Sequence, residues 1–423
     1  MRHIVLMPFG SAGDIFPFIW LGKLLVARGH RVTIISICLF AQAEGNAVAA
    51  AAAGAAGIGF VGLGTDEERK AIQNDKRIWM LGIGTKVVLD YTVAWSPHYL
   101  EAVEKLDAVD LIMAPVTSFG ARLAREKLGI PLITVHLQPM VLVSAYETPL
   151  LHPCLGWLRM LPVALKKFLF ALPNPIDLHI LAGIRRICTD AGVTPPRSIW
   201  REWWHSPDGV LALFPEWFGM PQPDWPQNLF QSNFPTEDLA AEIAIPPELA
   251  DFLAVGEKPV VFTPGSGNVQ AEKFFASAAE AVKRLGIRAV FVTRMENRIP
   301  AGMEEHILQV DFVPFSKLLV HASAFVHHGG IGTMAQGFRA GLPQLVMAMS
   351  HDQPDNAERL EKLGAGIAVM ARDFTPERVT TQLGRLLNES SYSEAARGVQ
   401  RKAEAPTDRA EMVRWIEGRV RGD

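Results

Sequence analysis

Cysteine is scarce. The 423 residues contain three, Cys38, Cys154 and Cys188, too few and too scattered for a disulfide framework or a paired-cysteine metal site. Buried free thiols in a reducing compartment are the expectation. A charge excess is missing as well: 41 Lys and Arg stand against 44 Asp and Glu, a formal net charge of −3. That balance excludes a protein whose affinity comes from neutralising a phosphate polymer, so nucleic acid is not an expected partner. No secretory leader is visible, because Met1-Arg2-His3 is followed by only Ile4 to Met7 before Pro8. The longest uncharged run, Gly45 to Thr65, is mostly Ala and Gly. Only Val48, Ile58, Phe60, Val61 and Leu63 are strongly apolar, which suits a helix, a glycine turn and a strand better than a membrane span. A cytoplasmic protein is expected.

What is present is a large apolar content, 49% hydrophobic against 20% charged, so the chain folds. At roughly 100 to 200 residues per domain the length suggests about two or three domains. Ile4 to Met7 reads as a first strand, Phe18, Leu21, Leu24 and Leu25 recur at helical spacing up to Gly29, and Val32 to Ile35 reads as a second strand. Gly59 to Gly62, Leu111 to Met113 and Leu132 to Val135 continue the alternation, which predicts a parallel α/β sheet. From Pro149 to Asn228 the rhythm is lost. Pro and Trp are frequent there, with Trp200, Trp203, Trp204, Trp217 and Trp225 close together, and a largely helical wall is expected.

Ser232 to Pro247 is polar and Pro-bearing and separates a second alternation: Val260 to Thr263, Ala289 to Val292, Ala324 to Val326 and Gln344 to Met347. The predicted division is 1–235, 236–406 and a terminal helix in 407–423 that returns to the N-terminal domain. In open α/β sheets ligands sit beyond the carboxyl ends of the strands, so two such domains face to face are expected to form a cleft.

Chemistry concentrates at two junctions. After the strand ending at Val326 comes His327-His328-Gly329-Gly330-Ile331-Gly332-Thr333 and then a helix. Glycines let a backbone approach a phosphate, and free N–H groups around Gly332 and Thr333 can donate to a diphosphate beside a histidine. Further on, Asp352-Gln353-Pro354-Asp355-Asn356 opens another helix, where Asp352 suits a helix cap and equally offers, with Gln353, a carboxylate and an amide to two sugar hydroxyls.

These segments, with Val310 to Pro314, Ala340-Gly-Leu-Pro343 and His351 to Leu360, resemble the donor-binding signature of the family 1 nucleotide-sugar glycosyltransferases. Gly10-Ser-Ala-Gly-Asp14 resembles the corresponding loop of bacterial members acting on antibiotics, sterols and lipids, so the likeness covers nearly the whole chain. Within the family, His205 to Val210, Leu213 to Phe218 and Asp224 to Pro226 are similar to the rhamnosyltransferases of rhamnolipid synthesis. The resemblance implies the GT-B fold, two doubly wound Rossmann-like domains, the first for the acceptor and the second for the donor. It implies an inverting transferase that needs no metal or cofactor. Its partners would be a nucleoside diphosphate sugar, with TDP-rhamnose favoured, and a lipophilic hydroxyl acceptor such as a hydroxyalkanoyl lipid.

Carried over by residue, Phe312 stacks on the base, Val313 offers its backbone to the base edge, and Gln336 falls where plant members hold the ribose. Gly265 and Ser266 touch the phosphates, with Gly330, Gly332 and Thr333 and either His327 or His328. Asp352 and Gln353 hold the sugar. Asp14 is the expected base, although an aspartate before Pro17 suits helix capping equally well on chemistry alone. Ser11, Trp79, His136 and Glu147 are acceptor-side candidates. Leu155 to Leu172, with Arg159, Lys166 and Lys167 among aromatic and aliphatic residues, reads as an ordinary amphipathic helix or as a surface docking on the inner face of a membrane. Three further readings stay open: a UDP-glucose-dependent transferase acting on sterol-like or other small aglycones, a nucleotide-sugar epimerase of the same fold, and a non-catalytic partner that keeps the fold without turnover. A Rossmann dehydrogenase fits worse, since Gly10 to Gly13 lacks the G-x-G-x-x-G spacing.

Overall fold

The computed structural model describes residues 1–37, 53–235, 238, 243–265, 271–296, 298–405 and 409–421. Cys38, Ser266 and the first part of the Ala/Gly-rich run lie outside them. The chain divides into two units, one made of Met1–Ile78, Gly82–Pro235 and Thr407–Asp423, the other of Trp79–Leu81 with Thr236–Pro406.

The first unit is built on a sheet of seven strands: β1 (His3–Leu6), β2 (Arg31–Ile37), β3 (Gly59–Leu63), β4 (Leu111–Ala114), β5 (Leu132–His136), β6 (Val210–Ala212) and β7 (Leu229–Gln231). Their order is β3-β2-β1-β4-β5-β6-β7 and every pairing is parallel. The second unit repeats the plan with β8 (Val260–Thr263), β9 (Ala289–Val292), β10 (Ile307–Val310), β11 (Ala324–His327), β12 (Gln344–Ala348) and β13 (Gly366–Met370), in the parallel order β10-β9-β8-β11-β12-β13. The central strands are buried throughout, as continuous Val/Ile/Leu/Phe runs between helix layers should be. In each sheet the winding direction reverses beside the first strand, between β1 and β4 and between β8 and β11. Loops leaving the carboxyl ends of those strands diverge and leave room for a ligand.

The Trp-rich region departs from expectation. Helices Val163–Ala171 and Pro175–Ala191 are present, but β6 lies inside the region and β7 follows directly, so the sheet continues through it. Three-residue strands are too short to leave a readable pattern. Trp203 and Trp204 are core residues, and the Trp204 indole N–H donates to the Val141 carbonyl at 2.9 Å. Asp177 ties the segment down: its carboxylate accepts from Ser198 Oγ (2.7 Å) and from the N–H groups of Ile199 (2.6 Å) and Trp200 (3.1 Å).

Residues 155–172 form no single packed helix. A 3₁₀ stretch, Pro153–Met160, precedes the helix Val163–Ala171, and Met160 (83% exposed), Phe168 (61%) and Trp157 (51%) face outward while Lys166 is buried. Cys154 is exposed rather than buried, whereas burial pushes the Cys188 thiol up to about 11. The terminal helix Arg409–Glu417 packs within the first unit. Met412 and Ile416 are fully buried, Trp415 lies 5.5 Å from the Phe230 ring, and Glu417 accepts from Arg28 and His30. Among the described residues no helix is long and apolar enough to cross a membrane.

Asp177→Ala would leave a hydroxyl and two N–H groups without their acceptor. It is expected to lower unfolding free energy by about 2 to 4 kcal/mol in urea titration, whereas Leu178→Ala, at a 78% exposed side chain, should stay within about 0.5 kcal/mol.

Candidate functional site

The carboxyl end of β11 carries a cluster of buried polar groups. His327, the last residue of β11, lies opposite Thr263 of β8 and Val346 of β12 and is fully buried. Its Nδ1 accepts the Gly329 N–H at 3.0 Å, so Nε2 carries the proton and donates to Gln344 Oε1 at 2.7 Å. Gln344 Nε2 in turn donates to the Met334 carbonyl in the helix Ile331–Ala340. Burial and the neighbouring His328 hold the His327 pKa down to about 3, so the ring is neutral and both its nitrogens are engaged inside the fold.

His328 points elsewhere. A Cβ added to Gly265, which has φ +85° in the loop after β8, would stand 2.5 Å from His328 Cε1, and one added to Gly330 would strike Nε2. The imidazole thus occupies the space that two glycines leave open at the point where the sheet reverses. Among the described residues its Nδ1 is buried without a hydrogen-bond partner, and burial lowers its pKa to about 4. Beside it the helix Ile331–Ala340 begins at Gly330 with no side-chain cap. The N–H groups of Ile331, Gly332 and Thr333 have no acceptor within the helix, and the positive end of its dipole lies there.

The loop after β12 completes the arrangement. Gln353 is buried and its Oε1 accepts the N–H groups of Met349 (2.9 Å) and Ser350 (3.3 Å), so its carbonyl end shapes the loop. His351 adopts a left-handed conformation at φ +57°. Asp352 occupies the cap position of the helix Gln353–Lys362 yet makes no capping bond, contrary to the capping expectation. Its Oδ2 instead accepts from Asn356 Nδ2 at 2.6 Å, and burial pushes its carboxyl up to about 6 against the pull of that bond. Asn356 is fully buried and its Nδ2 also donates to the Gly329 carbonyl at 3.1 Å. Phe312 is half-buried beyond β10, with the Arg294 guanidinium 5.8 Å from its ring centre, while Val313 is buried and Gln336 half-buried. Trp79 groups with this unit and stands edge-on to the His351 ring at 5.8 Å.

In the first unit the loop after β1 holds Gly10 and Ser11, and Asp14 follows in the helix it leads into. Ser11 is the cap of the helix Ala12–Ala27, and Asp14 stands at its third position, where its carboxylate takes the Ser11 N–H in a capping box, as the capping expectation had it. Asp14 Oδ2 accepts from the Ser11 N–H (2.7 Å) and Oγ (3.1 Å). Gly10, at φ +136°, presses against it: an added Cβ would lie 2.6 Å from Asp14 Cγ. His136 ends β5 and is buried, its Nε2 3.0 Å from His205 Nδ1, and burial with His205 holds its pKa well below the usual histidine value. Glu147 accepts from Gln222 Nε2 at 3.1 Å.

Pattern reading passed over Gln344, Asn356 and His205. Gln344 had a signal, a polar residue opening an apolar strand; the roles of Asn356 and His205 depend on contacts distant in sequence.

Residues 4–146 match the glycosyltransferase family 28 N-terminal domain, and residues 290–418 match the erythromycin biosynthesis protein CIII-like C-terminal domain. Aklavinone 7-beta-L-rhodosaminyltransferase of Streptomyces galilaeus is 34% identical over 139 residues, 33% of this chain and 31% of that protein. Sterol 3-beta-glucosyltransferase of Arabidopsis thaliana is 25% identical over 417 residues, 93% of this chain and 62% of that protein. The chain therefore aligns with less than two thirds of the length of either relative. A spinosyn rhamnosyltransferase structure superposes with a TM-score of 0.70 over 99% of this chain and 100% of that one, at 17% identity, which speaks to fold. Two parallel doubly wound sheets, superposing on the spinosyn rhamnosyltransferase structure over nearly the whole chain, give this chain the GT-B fold.

His327 is expected to stay neutral, as the Nε2–H tautomer, from pH 8 down to below pH 5 in nitrogen-15 NMR of labelled histidine. Titration between pH 5 and 8 would contradict the hydrogen-bond assignment.

Proposed function

We propose that this chain is an inverting, metal-independent glycosyltransferase that moves a sugar from a nucleoside diphosphate to a hydroxyl of a lipophilic acceptor. The observation that carries the reading is the unpartnered, buried Nδ1 of His328, set between Gly265 and Gly330 beside an uncapped helix start. Such a cradle suits a diphosphate. A neutral imidazole supplies a directed N–H and free backbone N–H groups supply the rest, so charge growing on the leaving group meets dipoles already in place. His328 rather than His327 takes this role, because His327 spends both nitrogens inside the fold.

The remaining assignments follow the same logic. Ser266, Gly332 and Thr333 contact phosphate, Phe312 stacks on the base with Val313 at its edge, Gln336 lies on the ribose side, and Asp352 binds a sugar hydroxyl with Gln353 shaping its loop. Asp14 is the base. The acceptor hydroxyl gives its proton to the Asp14 carboxylate, its oxygen bonds to the anomeric carbon, and the bond from that carbon to the phosphate oxygen breaks with inversion. The bonds from Ser11 orient the carboxylate for this step.

TDP-rhamnose is the favoured donor. Support comes from the similarity to spinosyn rhamnosyltransferase, which is also known in complex with thymidine diphosphate. The acceptor is taken to be a hydroxylated lipid such as a hydroxyalkanoyl lipid, as in rhamnolipid synthesis. The outward-facing Trp157, Met160 and Phe168, next to Arg159 and Lys167 in a stretch free of acidic residues from Thr148 to Ile176, suit contact with an anionic membrane surface where such an acceptor resides. A second reading, UDP-glucose with a sterol-like aglycone, is supported by the long alignment with the sterol glucosyltransferase.

Thermal-shift titration with UDP, TDP, UDP-glucose and TDP-rhamnose, with and without magnesium, tests the proposal. A larger rise with TDP ligands, independent of magnesium, is expected; a UDP preference selects the second reading, and no rise with any nucleotide rejects the donor site. Asp14→Asn should lower kcat by about a hundredfold or more while donor affinity stays nearly intact. Loss of donor affinity alone would remove Asp14 from the base role. Donor-sugar affinity should be full above about pH 6 and fall as pH drops through that value, because Asp352 then takes up a proton; a flat profile from pH 5 to 8 would oppose the Asp352 assignment.

A further inference from the structure

A line of buried polar contacts crosses the second unit from one loop to the next. It runs from the Met334 carbonyl through Gln344 to His327, on to the Gly329 N–H, and from the Gly329 carbonyl through Asn356 to Asp352. Asn356 is the member that joins the loop after β11 to the one after β12. Its amide orientation is set by its neighbours: Gly329 O and Asp352 Oδ2 are both acceptors, so the NH2 must face them. Meeting both leaves Asn356 Oδ1 buried without a partner among the described residues, an unfavourable state that the fold retains. Gly329 packs closely against both neighbouring elements, since a Cβ there would lie 2.7 Å from Val346 Cγ1 and 3.4 Å from Gln353 Cβ.

We infer that Asn356 is a positioning residue for the donor sugar: by holding Asp352 Oδ2 and the Gly329 carbonyl with one NH2 group, it aims the Asp352 carboxylate and sets its distance from the diphosphate loop. It does not touch the donor; it acts through Asp352. By donating to the carboxylate it also favours the ionised form, opposing the burial that raises the Asp352 pKa. Replacing it should weaken recognition of the sugar while leaving recognition of the nucleotide largely in place.

This inference rests on the donor-site reading, and the experiment separates the two. Affinities for UDP, TDP, UDP-glucose and TDP-rhamnose are measured by calorimetry for the wild type, Asn356→Asp, Asn356→Ala, Asp352→Asn and the Asn356→Ala/Asp352→Asn double variant, with melting temperatures alongside. In both single Asn356 variants the affinity of the preferred nucleotide sugar should fall about tenfold, while that of its parent nucleotide changes by less than about threefold. In Asn356→Asp a second carboxylate faces Asp352, so the pH at which sugar recognition fails should move upward by about one unit or more. In the Asp352→Asn background the sugar-specific effect of Asn356→Ala should vanish, as required of a residue that acts through Asp352. Equal losses for nucleotide and nucleotide sugar, or an undiminished effect in the double variant, would overturn the inference. Failure of the wild type to bind any of the four ligands would instead overturn the donor-site reading beneath it. Should the variants not fold, the wild type still decides. The Asn356 side-chain amide protons, seen by asparagine-labelled NMR, should exchange slowly and shift as Asp352 titrates; fast exchange or no shift overturns the role.

Discussion

A fully buried imidazole must find a partner for each of its nitrogens, and the way His327 does so governs the second unit's polar centre. One nitrogen donates its N–H to Gln344 and the other accepts the Gly329 N–H. Burial and the neighbouring His328 penalise the charged ring, which stays neutral. Gly329 is thereby fixed on one side, and its carbonyl is fixed on the other by Asn356. Residues on either flank of that peptide, His328 and Gly330, then have little choice of position. A loop held this way is already organised before any ligand arrives, which is the condition under which fixed dipoles stabilise developing charge well.

Neutrality of His328 has a chemical consequence. Burial keeps the ring uncharged, so in the proposed donor site it would meet a diphosphate as a neutral hydrogen-bond donor. Asp352 lies at the opposite balance, a carboxyl made less acidic by burial and partly rescued by Asn356. Two titratable groups in one unit are thus both pushed toward their neutral forms, one by withholding a proton and the other by retaining it. Such shifts accompany sites built to meet a ligand's charge more often than sites built for stability alone.

Both sheets use the same device to place chemistry. Continuous apolar central strands, buried on both faces, supply a rigid platform, and the candidate site residues stand at or just beyond the carboxyl ends of β1, β8, β11 and β12. Glycines at two of these loops serve space rather than flexibility alone. Gly10 yields room to the Asp14 carboxylate, and Gly265 to the His328 ring. Apolar side chains left outside, such as Met160 and Phe168, mark the part of the first unit where the core no longer dictates composition.

Much of this was legible in residues alone. The alternation of apolar runs and helical spacing disclosed two α/β sheets, and the glycine-histidine junction and the Asp352-Gln353 segment stood out because their residue types suit phosphate and sugar hydroxyls. Short strands such as β6 and β7 were not legible, since three residues carry no period. Local pattern also could not separate His327 from His328, nor tell that Asp352 forgoes its capping bond for Asn356. Those choices depend on which groups meet across loops far apart in sequence. The sequence by itself determined the alternating architecture and the chemical inventory of each loop, because periodicity and residue type are local. Tertiary structure alone decided which histidine is satisfied and which is left facing the open space between glycines, because hydrogen-bond satisfaction of a buried group is set by its neighbours in three dimensions.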